Sequence, residues 1–307
     1  YTIFKNMEKY QDVLKTFMEK INFPKEAITL FTKLYQEIIT SPHDTDLLNT
    51  SIKKYMNSDD VGAFYDIDCL AKNMDIHSYT MSMLLLSLCA KPLKEEYHKK
   101  GISEDIFQDS MKDLTYKLKE CYQLHGIWGT FTRDWYLGFY QMNRFALGRM
   151  QYELFEFMLD TYKTKGITLH KGDKVINLHI PSEGPFDDKT RLTSYKKAYS
   201  FYKDSFDQKA IPFVCNSWLL YPAYKEILPK GSNIRSFMDD FTYIQGERSE
   251  KFNDAWRVFG KDYKSDSHNL PRKTSLQRSF ADHLKNGGKT GTGYGIFFFD
   301  GDHIVKA

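Results

Sequence analysis

The spacing of the apolar residues changes period partway along this chain, and no other feature limits the possible folds as much. Through residue 125 they recur in steps of three and four. Met7, Tyr10, Val13, Leu14, Phe17, Met18 and Ile21 form one such set, and Ile28, Phe31, Leu34, Tyr35 and Ile38 form a second beyond Pro24. Steps of this size put an apolar stripe along one face of a helix. A turn at Ser41 and Pro42 leads to a third helix, capped by Asp44 or Thr45 and running through Met56. Phe64, Ile67, Leu70 and Met74 mark a fourth, and residues 79–90 are apolar nearly all round, as a central helix would be. Ser103 is a good N-cap for a sixth, whose stripe is Phe107, Met111, Leu114, Leu118 and Cys121 and whose end is Gly126.

Beyond residue 129 the period falls to two, the repeat of a strand. Residues 145–152 alternate in this way, and so do residues 175–180, closed by Pro181. A helix over 187–206 follows, with Leu192, Tyr195, Ala198, Tyr199 and Tyr202 inward, and then an apolar strand over 213–220. Pro222 opens a short helix to Leu228, Ser232 caps another through Phe237, and a strand covers 241–245. Residues 246–271 are polar and loop-rich with a short strand at 256–259, a helix starts at Thr274 or Ser275, and a last strand covers 294–299. The glycine-rich stretch 287–293 reads as a connector. Strands alternating with helices imply a parallel or mixed sheet. The expected fold class is α/β (α+β), with an all-helical domain over 1–138 and a mixed-sheet domain over 139–307.

Composition removes several function classes. The chain has 43 basic and 40 acidic residues, well mixed, which argues against a nucleic-acid or anionic-membrane partner. The longest strongly apolar run, 81–90, is about half the ~20 residues of a membrane helix. Cys69, Cys89, Cys121 and Cys215 lack metal-site or disulfide spacing, and no His-rich motif suggests a metal. With no basic, apolar leader pattern, the expected location is cytoplasmic. Aromatic residues make up 16% of the chain, enough for a Phe/Tyr-heavy core or an aromatic-lined pocket.

Six stretches carry a family resemblance: 97–103, 145–153, 178–182, 215–220, 232–237 and 274–278. In order and spacing they resemble bacterial GNAT-like acyltransferases that have a helical N-terminal domain and a GNAT-like C-terminal domain. The resemblance spans about residues 95–290. It implies a GNAT-like mixed sheet, acetyl-CoA or another acyl-CoA as co-substrate, and direct transfer to a small-molecule amine acceptor. In that fold two neighbouring parallel strands splay, pantetheine lies in the gap, and the pyrophosphate sits on N–H groups at the next helix N-terminus. By chain order the splayed strands would be 175–180 and 213–220, and the phosphate loop 181–186. Ile180, Ser182, Gly184, Phe186 and Ser217 would then line the cofactor. The usual loop reads Arg/Gln-x-x-Gly-x-Gly/Ala, whereas residues 181–188 hold one Gly, two Pro and three acidic side chains. That departure supports an alternative, a non-catalytic GNAT-like module that binds a ligand or protein in a regulatory role.

Acyl transfer to an amine needs a base for the ammonium and a proton for the leaving thiolate. His179 is the first base candidate, since an unperturbed histidine titrates near neutrality; a hydrogen-bonded core histidine is the plainer reading. Glu153 is the second, with an ion pair to Arg149 or Arg144 as its plainer role. Tyr224 is the candidate acid, following the second splayed strand where GNAT enzymes often place one. Arg149 and Arg278 could clamp a phosphate. Sequence alone leaves the oligomeric state open.

Overall fold

The computed structural model describes residues 7–164 and 166–305; the side chains of residues 7–9, Met7 among them, lie outside what is described. These fall into two compact units, one ending at Phe145 and the other starting at Ala146.

The first unit is helical: α1 Met7–Lys20, α2 Lys25–Ile39, α3 Pro42–Met56, α4 Asp60–Asn73, α5 Ser78–Lys99, α6 Glu104–His125 and the short α7 Leu137–Tyr140. The α2 stripe is buried as its spacing predicts, while Val13 of α1 points outward. The start of α3 is a correction: Ser41 is the cap, its Oγ accepting from the Asp44 N–H at 3.3 Å, with Pro42 in the first turn. Helix α5 is the hub, with residues 80–90 all buried. It continues past Pro92, which has no N–H to offer the Leu88 carbonyl one turn earlier. The Tyr10 hydroxyl donates to that carbonyl at 2.8 Å, and the Tyr140 hydroxyl donates to the neighbouring Leu86 carbonyl. The Tyr-rich composition here serves buried backbone satisfaction as well as bulk.

The second unit is a curled mixed sheet. In chain order its elements are β1 Arg144–Leu147, β2 Met150–Glu156, β3 Thr161–Thr164, β4 Ile167–His170, β5 Lys174–His179, α8 Asp188–Tyr202 and β6 Ile211–Ser217. They continue with α9 Ala223–Ile227, α10 Asn233–Asp240, β7 Thr242–Ser249, α11 Ala255–Phe259, α12 Ser275–Lys285, β8 Thr290–Phe299 and β9 Ile304–Val305. The main sheet runs β1-β2-β5-β6-β8-β7 with β9 on β8, and β3 and β4 form a separate hairpin.

Several elements differ from the sequence reading for local reasons. Residues 145–152 are not one strand, because Gly148 (φ +79°) turns the chain between β1 and β2. The buried Ser194 of α8 secures that turn, accepting from the Met150 N–H at 3.1 Å and donating to the Leu147 carbonyl at 2.7 Å. Residues 256–259 are helical, inside α11, and residues 218–220 form a 3-10 turn beyond β6. Leu192 faces out; Arg191 and Ser194 are inside instead. The glycine-rich connector gives way to strand at Thr290: a Cβ at Gly291 would overlap the Glu247 carbonyl and Tyr221 ring, and one at Gly293 the Leu220 carbonyl. Bare backbone on β8 lets residues 218–221 lie directly against the sheet.

One sheet face packs on α8. Phe213 and Phe297, cross-strand partners, stack at 5.0 Å and 9°, with Tyr195 of α8 4.8 Å from Phe297. The opposite face buries Val175, Val214, Tyr294, Ile296 and Phe298 together with Phe157 and Leu169.

Arg191 ties α8 to α10. It is 1% exposed and donates to Asp240 (2.9 Å), the Phe186 carbonyl (2.8 Å), Asp188 (2.9 Å) and Ser236 (3.0 Å). Asp240 also accepts from Tyr195 at 2.8 Å. Removing one partner of a buried ion pair leaves the other charge uncompensated. Arg191→Met is therefore expected to cost about 3 kcal/mol, read as a lower urea midpoint at unchanged slope; a loss under ~0.5 kcal/mol would show the network to be dispensable.

Candidate active site

Strands β2 and β5 pair antiparallel over six residue pairs, with Gln151 opposite His179 and Glu153 opposite Asn177. Side chains alternate along a strand, so these four share one face, the face away from α8. On it, His179 Nε2 lies 2.6 Å from Glu153 Oε1, and Asn177 Nδ2 lies 3.1 Å from the same oxygen and 3.3 Å from Nε2. The Glu153 side chain is 12% exposed and that of His179 23%. A carboxylate this close to an imidazole, with a path to solvent, can orient the ring.

The position of this pair follows from the sheet. Strands β5 and β6 run parallel but keep only two ladder pairs, Ile176 with Phe213 and Asn177 with Val214. Beyond them β5 continues to His179 on β2, and β6 continues to Ser217 on β8. The parallel strands thus part at the level of Asn177, and His179 ends β5 just past the parting.

Next comes the loop that holds Ile180, Ser182, Gly184 and Phe186. Gly184 has φ +108°, and a Cβ there would press on Arg149 Cδ at 3.3 Å. Arg149 Nε donates to the Pro185 carbonyl at 2.8 Å, and its guanidinium lies 5.2 Å from the Phe186 ring centre. Arg191 covers the same ring at 5.4 Å. Arg149 is thus engaged with the loop. Asp187 caps α8, accepting from the Thr190 N–H at 3.0 Å and its hydroxyl at 2.7 Å, and these bonds hold its carboxyl below the usual range. Asp188 is held low chiefly by the Ser236 hydroxyl and also by Arg191.

The other candidates lie elsewhere. The Ser217 hydroxyl accepts from the Leu219 N–H at 3.1 Å and so caps the turn after β6. Tyr224 is 1% exposed within 4.7 Å of the Phe280 ring centre, and its hydroxyl accepts from the Gly291 N–H at 3.2 Å. Burial pushes that phenol up to about 12. Arg278 donates to the Arg272 and Lys273 carbonyls, while Arg272 pairs with Asp282 at 2.8 Å. Both arginines line a cleft of about 830 Å3 beside α12 that also includes Ser275 and His283. Among the described residues, no group of three or more His, Cys, Asp or Glu side chains is placed to hold a metal. No helix of the described residues is long and apolar enough to cross a membrane.

Sequence reasoning missed Asn177 and Arg191. The signal for Asn177 was present: it is a polar residue two before His179 on one face of an otherwise apolar strand.

The chain matches two family profiles in succession, an N-acyltransferase N-terminal domain over 12–142 and a GNAT-like C-terminal domain over 145–297. No curated protein sequence matches it. Among solved structures, it is similar to an acyltransferase in complex with decanoyl-CoA and teicoplanin, at 18% identity and TM-score 0.68, covering 91% of this chain and 85% of that one. An acyltransferase in complex with decanoyl-CoA aligns at 19% identity and TM-score 0.68 over 93% and 87% of the two chains. A mutant acyltransferase in complex with octanoyl-CoA aligns at 16% and 0.67 over 94% and 87%.

The glycines of β8 are open to test. Gly293→Val puts a branched side chain against the Leu220 carbonyl, and overpacking of this kind costs roughly 1–3 kcal/mol. The expected result is a lower urea midpoint and altered Trp218 fluorescence; an unchanged protein would mean that residues 218–221 are not held by the bare strand.

Proposed function

Since the chain belongs to the GNAT-like acyltransferases with a helical N-terminal domain, we propose that it transfers the acyl group of an acyl-CoA thioester to an amine on a small molecule. The observation that carries the reading is the imidazole–carboxylate pair of His179 and Glu153 at the parting of β5 and β6. An amine is protonated at neutral pH and must lose a proton before its lone pair can attack the thioester carbonyl. His179 takes that proton, and Glu153 accepts a hydrogen bond from the ring and stabilises the resulting imidazolium. Attack forms a tetrahedral intermediate; its collapse breaks the carbon–sulfur bond and expels the CoA thiolate. We assign the pyrophosphate to the backbone of Ile180, Ser182, Gly184 and Phe186, and the pantetheine to the gap that ends near Ser217.

Tyr224 suits the acid role poorly on energetic grounds. A phenol pushed up to about 12 holds its proton more tightly than a thiol, whose ordinary value is about 8.5. The imidazolium formed on His179 is the better-matched proton source for the thiolate.

The similar structures hold decanoyl-CoA or octanoyl-CoA, and one also holds teicoplanin. They favour an acyl donor longer than acetyl for this chain too. A second reading, a non-catalytic binding module, is favoured by one feature: Asp187 already occupies an N–H at the start of α8 with its own carboxylate.

Calorimetric titration with acetyl-CoA, octanoyl-CoA, decanoyl-CoA and free CoA separates the two readings. Micromolar binding that tightens with chain length is expected; no binding up to millimolar would leave the non-catalytic module. His179→Ala and Glu153→Gln are each expected to lower turnover at least about tenfold with the unfolding midpoint kept, and unchanged rates in both would remove this site. Asp187→Asn keeps a good N-cap and deletes a charge. It should tighten CoA binding several-fold, most at low salt; an unaltered affinity would place the pyrophosphate away from α8.

A further inference from the structure

We infer that the cleft beside α12 binds a phosphate monoester, and that Arg278 supplies the fork that grips its oxygens. The inference holds whether or not the chain is an acyltransferase. Helix α12 turns a polar stripe to a space of about 830 Å3: Ser275, Arg278, Ser279, Asp282 and His283 line it. These positions fall on one face of the helix, while Phe280 and Ala281 on the opposite face are buried. Ile227 at the end of α9 and Pro229 just beyond it add an apolar wall. A space of this size, polar on one side and apolar on another, suits a small organic molecule with a charged end.

The sign of that end follows from the arginines. Arg278 puts its Nη1 on the Arg272 and Lys273 carbonyls at 3.1 and 3.0 Å. Among the described residues it pairs with no carboxylate, and Asp282 in the same wall pairs with Arg272 instead, at 2.8 Å. The two carbonyls hold the Arg278 guanidinium in place without neutralising it. They also leave its Nε and Nη2 hydrogens, which form one planar fork, for a ligand. His283 is engaged elsewhere, its Nε2 lying 2.6 Å from the Lys289 carbonyl. The cleft therefore carries one oriented, uncompensated guanidinium, with the hydroxyls of Ser275 and Ser279 in the same wall. A phosphate matches this set, since two of its oxygens take the fork and a third is left for a hydroxyl. A monocarboxylate would fill the fork and leave both hydroxyls unused.

The test is calorimetric titration of the full chain at low salt with adenosine 3′-monophosphate, adenosine, CoA and 3′-dephospho-CoA. Three variants are compared with wild type. Arg278→Ala removes the guanidinium, and Arg278→Lys keeps the charge and loses the fork. Ser279→Glu puts a carboxylate into the cleft and leaves the Arg278 bonds intact, so it decides the matter if either Arg278 variant unfolds. Wild type is expected to bind the monophosphate and not adenosine, with affinity about tenfold lower in each variant. The source of the phosphate is read from the coenzymes. CoA binding tighter than dephospho-CoA in wild type, but not in Ser279→Glu, identifies the coenzyme's own 3′-phosphate as the bound group. Equal affinity for the two, with the monophosphate still bound when CoA is present, identifies a separate phosphorylated ligand. If the monophosphate binds and neither coenzyme does, the cleft stands and the acyl-CoA reading fails. No binding of the monophosphate up to millimolar, equal binding of adenosine, or an affinity unchanged in Ser279→Glu would each overturn the proposal.

Discussion

The structure of the second unit depends on a parallel pairing that stops early. Strands β5 and β6 keep two ladder pairs and then separate, which exposes backbone groups that a continuous sheet would satisfy. Such a gap persists only if each strand is held from its other side. Here β5 is bound to β2 along its whole length, and β6 is bound to β8 over seven pairs. The two faces reinforce this. The Tyr195 ring of α8 packs on Phe213 and Phe297 on one side, and the β3–β4 hairpin covers Val175 and Val214 on the other. The opening is therefore a product of strong flanking antiparallel pairs rather than of a weak sheet.

Charge in the loop after β5 follows from the same geometry. The chain must turn from His179 into α8 within a few residues, and it does so with Gly184 at positive φ and two prolines. Two arginines hold this turn by its carbonyls, Arg149 at Pro185 and Arg191 at Phe186. Two of the three acidic residues that look hostile to a phosphate in the sequence are engaged locally: Asp187 as a cap, Asp188 with Arg191 and Ser236. An anion approaching here would meet a surface whose charges are already paired in part, a weaker barrier than the sequence suggests.

Most helices and their ends were readable because their signals are local, the Ser41 cap of α3 being an exception. The α2 stripe, the Ser103 and Ser232 caps, the helix start at Thr274 or Ser275 and the left-handed Gly126 each sit within one or two turns of sequence. Features that depend on distant partners were not readable. A period of two runs unbroken through Gly148, so the β1–β2 hairpin looked like one strand; what fixes the turn there is Ser194, more than 40 residues on. The glycines of β8 weaken any strand signal, yet they are needed because Leu220 and Tyr221 lie against them. Arg191 displaced Leu192 from the interior because Asp240 and Tyr195 await it across α8 and α10. The candidate site divides in the same way. His179 and Glu153 stand out as residue types, but their contact depends on the β2–β5 register, which joins positions 26 apart.

The faces of the sheet also bear on the chemistry. Cys215 and Ser217 are the nucleophile types on β6, the strand parallel to that of His179, and a covalent acyl-enzyme formed on β6 would need one of them against the imidazole. Val214 pairs with Asn177 and shares its face, so Cys215 projects to the other face, beside Phe213 and toward α8. Burial raises its thiol well above the ordinary range, which disfavours the thiolate that would have to attack. Ser217 alternates with Asn216 and so shares the face of Cys215, its hydroxyl accepting from the Leu219 N–H. With neither β6 nucleophile on the face that carries His179, the arrangement fits the proposed direct attack by an acceptor amine better than an acyl-enzyme on β6.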